Sequence, residues 1–211
     1  MEFTHSRTVK TIAIFLLLAA ILQPIYTFLY LKAPGVERQF IWGIEALLFV
    51  LLAAFAGAAL VQTKRHALAF SAIAFSAVLN VIQVGIGLTQ FGPVRQAVKL
   101  NAESGSADLG SIASSVISFS FYGYNTAKIL LGLAAILFGL TLFNSSAKTL
   151  SKSIGGLAVL VGVLAFVANS VLMMFGLQAD IIPRQLAGGS GVVATLLLAL
   201  CLFSLPFEEA A

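Results

Sequence analysis

The chain has 211 residues, 60% of them hydrophobic and 9% charged, with a mean hydropathy of +1.03. Soluble domains carry about 25% charged residues, so this composition excludes a soluble globular domain and predicts an integral membrane protein. The net charge of +4 is small, and the basic residues fall between apolar runs. That pattern fits membrane topology and excludes a nucleic-acid surface of basic residues interleaved with aromatics.

A membrane span needs about 20 mostly apolar residues. Six segments qualify: 10–31, 40–62, 67–91, 119–143, 153–176 and 189–206. They are too continuous and too rich in Leu, Ala and Phe for barrel strands, so the expected fold is an all-α bundle of six transmembrane helices in one domain, 1–211. The first span follows Arg7 and Lys10 and exceeds a signal-peptide core of about 7–15 residues, so it reads as a retained helix. Pro24 is expected to kink it and to free a backbone carbonyl for a polar pocket.

The connection from Gly92 to Ser118 is the longest. Pro93 suits the first turn of a helix, and Val94, Ala97 and Val98 would share one face, which predicts a short interfacial helix between spans three and four. Glu103–Asp108 reads as a turn. The connection from Leu177 to Gly188 lies on the same side, so the face opposite the termini is the elaborated one. The terminal side carries Arg7, Lys10, Lys64, Arg65, Lys148 and Lys152, and the other side Lys32, Arg38, Arg95, Lys99 and Arg184. Six against five favours cytoplasmic termini in a cell membrane, on this reading a bacterial inner membrane.

Spans three and five align when Asn80 is laid on Asn169, with Gln23 in a similar place in the first span. Glu45, Lys128 and Thr195 then correspond in the even spans, which suggests three tandem helical hairpins. Ala53/Gly57, Ala135/Gly139 and Ala158/Gly162 are small-xxx-small pairs suited to close helix contacts.

Lys128 is the only lysine or arginine well inside an apolar segment, and Glu45 is the one acid placed comparably. At 1.5 Å per residue, Gln23 and Asn80 lie roughly 20 Å from the charged terminal edge, Asn169 roughly 25 Å, and Glu45 and Lys128 roughly 28–30 Å. All five fall in the half of the bilayer nearer the long connections, above an almost purely apolar half. Ser76, Asn80, Gln83, Gly87 and Gln90 form one stripe, as do Ser114, Ser118, Asn125 and Lys128, continuing through Gly132, Ala135 and Gly139. Gln23, Tyr26 and Tyr30 share a face.

Three readings of Glu45 and Lys128 are open: snorkelling to the interface, a structural ion pair, or a pair lining a functional site. The amides alone would read as interhelical hydrogen bonds. Tyr26, Tyr30, Trp42, Tyr122 and Tyr124 read mainly as an interfacial aromatic belt. His5 and His66 lie far from this cluster and have no ligand set spaced for metal or haem. Single Cys201 excludes an intrachain disulfide and a CxxC pair. Metal, nucleotide and hydrolase motifs are missing, so no cofactor and no catalytic residue is expected.

The preferred expectation is an extracytoplasmic-facing polar cavity that binds, and transports or senses, a small polar or amphiphilic molecule. Its ligand-binding residues would be Glu45, Lys128, Gln23, Asn80, Gln83, Asn125, Asn169 and Tyr26. The alternative is an accessory or scaffolding subunit whose apolar surface docks partner spans or further copies of itself. A membrane enzyme acting on lipid or quinone, with Glu45 or Lys128 as acid or base, is the third. Membrane lipids are the expected surroundings in every case, and nucleic acid is not an expected partner.

Overall fold

The computed structural model describes residues 4–33, 39–88, 103, 107–176 and 181–207, the side chains of 107–114 and 117 excepted. Among the described residues there are six helices and no strands: α1 His5–Lys32, α2 Gln39–Gln62, α3 Ala67–Leu88, α4 Ala107–Ser145, α5 Thr149–Phe175 and α6 Arg184–Ser204. All six are long and apolar enough to cross a membrane, so the chain is a polytopic membrane protein. The segment proposed as an interfacial helix lies outside the described residues.

Local chemistry sets the ends. The Thr4 hydroxyl caps α1 by accepting from the Arg7 N–H at 3.4 Å, and Lys32 sits in its last turn, where a cation meets the negative helix end. The α2–α3 connection is only four residues long. It is pinned by the Arg65 N–H on the Thr63 hydroxyl at 3.1 Å, and His66 closes it at φ 62°, in the left-handed region. Gly176 ends α5 at φ 82°, where a side chain would be strained.

The short connections make successive helices antiparallel neighbours. They pack in chain order around a ring that α1 and α6 close. The ring is flattened, because α4 also meets α6 and so leaves α5 on the outside. α5 accordingly buries one narrow stripe, Gly155, Ala158, Gly162, Ala165, Asn169 and Leu172. Lipid offers apolar surfaces no less than a neighbouring helix does, so this stripe must hold by close packing. Glycines supply the approach. A Cβ on Gly162 would lie 2.8 Å from the Gly132 carbonyl oxygen, and one on Gly155 would lie 2.7 Å from that of Gly139.

The half of the bundle nearer the termini is an apolar core containing Ile12, Leu16, Phe49, Leu52, Phe70, Ile73, Leu131, Phe138, Leu198 and Leu202, all essentially unexposed. Its terminal end is capped by aromatic rings. Phe207, just beyond α6, lies edge-on to His5 at 5.6 Å and to both His66 and Phe138 at 6.4 Å. Phe138 in turn meets Phe70 and His66, each at 5.2 Å.

Two expectations change. α4 begins at Ala107 rather than 119, so Ala107 and Asp108 are helical and not part of a turn. With 39 residues it is roughly 58 Å long and overhangs a hydrocarbon core of about 30 Å. Gly57 of the Ala53/Gly57 pair makes no close helix contact, because nothing lies within 4 Å of a Cβ there, although Ala53 packs against the core. Pro24 sits within the continuous α1 and is exposed.

Two outcomes follow from this packing. Gly162→Ala should destabilise the protein by about 1–3 kcal/mol through overpacking against backbone, whereas Gly57→Ala should be neutral or slightly stabilising; thermal unfolding in detergent compares them. Burial, then Arg65 and His5 nearby, holds the His66 imidazole below its ordinary value. The unfolded chain therefore takes up that proton first, so the stability contributed by neutral His66 is full above about pH 6.5 and lost as pH falls below it. The melting temperature should drop on acidification from about pH 7 to about pH 5.5, and His66→Asn should flatten that dependence.

Candidate functional site

The polar residues enter the bundle on the same helical stripes that build the apolar core. On α1 the buried stripe runs Ile12, Leu16, Ala19 and Gln23, and on α2 it runs Glu45, Phe49, Leu52, Ala56 and Ala59. On α4 it runs Asn125, Lys128, Leu131, Ala135, Phe138 and Leu142. Steps of three and four residues keep each set on one face, so burying the apolar half of the stripe carries the polar residue inward too.

Gln23, Glu45 and Lys128 meet in the interior. The Gln23 Nε2 donates to Glu45 Oε1 at 2.8 Å, and Lys128 Nζ donates to Gln23 Oε1 at 2.8 Å. The sequence predicts a charged pair, and the structure interposes an amide between its members. Chemistry dictates the orientation of that amide. A carboxylate can only accept and an ammonium can only donate, so the amide nitrogen must face Glu45 and its oxygen Lys128. Lys128 is fully buried, while Glu45 and Gln23 are 7% and 9% exposed. Neither charge snorkels.

Lys128 is shaped by two further contacts. Its Nζ lies 5.0 Å from the centroid of the Tyr124 ring, one turn earlier on α4, which adds a cation–π attraction. Its stem runs across Gly191 of α6, where a Cβ would come within 2.8 Å of both the Lys128 Cγ and Cδ. Tyr26 and Trp42 meet each other at 5.3 Å, each one turn beyond its helix's member of the triad on the side away from the termini. Trp42 reaches across α3 at Gly87, where any Cβ would run into the indole. Tyr26, Trp42 and Tyr124 thus form an aromatic collar one turn outside the triad. From sequence they read mainly as an interfacial aromatic belt. Tyr30 stacks on Tyr26 at 6.4 Å but is 57% exposed.

The remaining amides bond elsewhere. Asn80 Nδ2 donates to the Ser76 carbonyl at 3.0 Å and to its hydroxyl at 3.3 Å, and that hydroxyl donates to the Ala127 carbonyl of α4 at 3.0 Å. Gln83 and Ser120 bond reciprocally between α3 and α4. Asn125 donates to the Phe121 carbonyl one turn back. Asn169 donates to Ala165 at 2.7 Å and across to Ala187 of α6 at 3.1 Å. The Oδ1 atoms of Asn80 and Asn169 are buried with no hydrogen-bond partner among the described residues.

Sequence reasoning did not single out Gln23 as the bridge, Tyr124 as the ring facing Lys128, or Gly191 as the seat of its stem. The i−4 spacing of Tyr124 to Lys128 was the available signal for the second. Among the described residues no group of three His, Cys, Asp or Glu could hold a metal. The chain matches no protein-family model, no curated protein and no solved structure.

The triad predicts its own stability series. Gln23→Leu strips a charge-assisted partner from both ions and should cost about 2–5 kcal/mol. Replacing all three by Leu, Leu and Met should recover most of that loss. Denaturant titration of the detergent-solubilised variants reads both.

Proposed function

We propose that the protein binds a small polar or amphiphilic molecule at Gln23, Glu45 and Lys128, reached from the end of the bundle that carries the long connections, and that this binding serves transport or sensing. The observation that supports it is an acid and a base buried in the membrane and separated by a neutral amide. Two charges that only lock helices together are better served by direct contact or by apolar replacement. The bridging amide keeps the two ions out of direct contact, so their attraction falls below the roughly 4 kcal/mol of a pair at 4 Å and an effective dielectric of about 20. An intramembrane ionisable residue marks a functional site by default, and here there are two with one bridge.

The binding set is narrower than the eight residues expected from sequence. Gln83 and Asn169 donate across to a neighbouring helix, which favours a helix-fastening role for them, while Asn80 and Asn125 donate to the carbonyl one turn back on their own helices. Tyr26 stays as part of the collar. The buried core below the triad argues against an open channel, so transport would require rearrangement. With cytoplasmic termini, the triad lies in the half of the cell membrane nearer the outside. A scaffolding subunit is the competing reading, and the cross-helix amides are what favour it.

The test is ligand-induced stabilisation of the purified protein by a panel of amino acids, choline, polyamines, short amides and short-chain phospholipids. At least one class should raise the melting temperature of the wild type by several degrees, and Glu45→Gln and Lys128→Met should remove that shift while circular dichroism shows an intact fold. Uniform insensitivity of the wild type, together with a more stable Glu45→Leu/Lys128→Met protein, would establish the scaffold instead.

A further inference from the structure

We infer that the Gln23 side chain is a displaceable stand-in for the ligand, and that the ligand is a small zwitterion or primary amide; this rests on the binding reading above. The triad imposes an order of polarity. Whatever lies between Glu45 and Lys128 must offer a donor to the carboxylate and an acceptor to the ammonium, as the Gln23 amide does at 2.8 Å on each side. The nitrogen and oxygen of an amide are about 2.3 Å apart, by standard bond lengths. The ammonium nitrogen and carboxylate oxygen of an α-amino acid are roughly 3 Å apart on the same bond lengths, so its head group fits the same gap with little movement of either charge.

A purely anionic or purely cationic molecule does not fit this gap. It would satisfy one ion and leave the other buried beside a missing partner, which costs the full desolvation of that group. Selectivity for a bipolar ligand is therefore built into the spacing of Glu45 and Lys128. Gln23 is the member suited to leave. It is neutral, it is the most exposed of the three at 9%, and its amide hangs on a flexible chain. Lys128, by contrast, is seated on Gly191 and faced by Tyr124. The collar of Tyr26, Trp42 and Tyr124 then offers an apolar wall to whatever the ligand carries beyond its head group.

The experiment compares wild type and Gln23→Ala by calorimetric titration and thermal shift, using glycine, β-alanine and propionamide as bipolar probes and acetate and methylammonium as single-charge controls. Glycine or propionamide should bind the wild type measurably and bind Gln23→Ala at least tenfold more tightly, restoring its melting temperature; acetate and methylammonium should do neither, and adding Lys128→Met should abolish the effect. If Gln23→Ala does not fold, Gln23→Asn, one methylene shorter, should show the same direction of change. Weaker probe binding by Gln23→Ala than by wild type would overturn the stand-in role and leave the binding site itself standing, with Gln23 as a fixed wall. Rescue equally by acetate or methylammonium would overturn the bipolar class alone. Rescue of Gln23→Ala without any binding to wild type, or no response from either protein, would overturn this inference and the binding reading together.

Discussion

An ammonium group cannot sit alone in hydrocarbon, and Lys128 has no exposed surface through which to reach water. That single requirement organises the distal half of the bundle. The acceptor for Lys128 comes from α1, and the negative charge that balances it comes from α2, so α1 and α2 must turn these faces towards α4 across the ring. Neither is a packed chain neighbour of α4, and long side chains span the distance. α6 meets the same demand with glycine, since the lysine stem occupies the place where a Gly191 side chain would be.

Each hairpin carries a version of the same fastening. Gln23 of α1 bonds to Glu45 of α2, Ser76 of α3 to the Ala127 carbonyl of α4, and Asn169 of α5 to the Ala187 carbonyl of α6. In the second and third hairpins the partner is a backbone carbonyl, which every helix supplies and which needs no charge to balance it. Only in the first is the partner a carboxyl side chain, and among the described residues only there does a bond between two helices become a link to a third. The three-helix link is confined to Gln23, Glu45 and Lys128 among the described residues for that reason, although buried amides are spread through the bundle.

The helices were legible because about 20 apolar residues have one stable arrangement in lipid. The start of α4 was not, since Gly110, Ser111, Ser114 and Ser115 read as a polar connection, yet nothing in them forbids the helical backbone. Depth along the helix placed Gln23, Glu45, Asn80, Lys128 and Asn169 in one half of the bilayer, because rise per residue is fixed, but it set Gln23 level with Asn80 and not with Glu45 and Lys128. The order in which they bond was invisible, as it depends on side-chain rotamers and on the ring being flattened so that α4 meets α6. Ala53/Gly57 misled for a related reason. Small residues at i and i+4 define a flat strip of helix without saying whether a helix or lipid lies against it, and Gly57 faces open space while Gly162 meets the Gly132 backbone.

The two kinds of packing divide the bundle unequally. α4 and α5 are locked backbone to backbone by glycine contacts at two levels, so sliding there brings carbonyl oxygens into collision. Half of the residues in the apolar 18-residue stretch of α3, α4 and α6 are buried, against 33% in α5 and 28% in α1 and in α2. Displacing the first hairpin therefore sacrifices the least packing, and the dispersion contacts that hold membrane helices together are fewest there. Gln23 and Glu45 ride on that hairpin, while Lys128 belongs to the tightly packed remainder. A rearrangement that separates the two would pull apart the charge triad and leave the glycine-packed helices undisturbed. The attraction between its buried ions is then the term that opposes opening, and a bipolar molecule that bridges them is the one best placed to alter it.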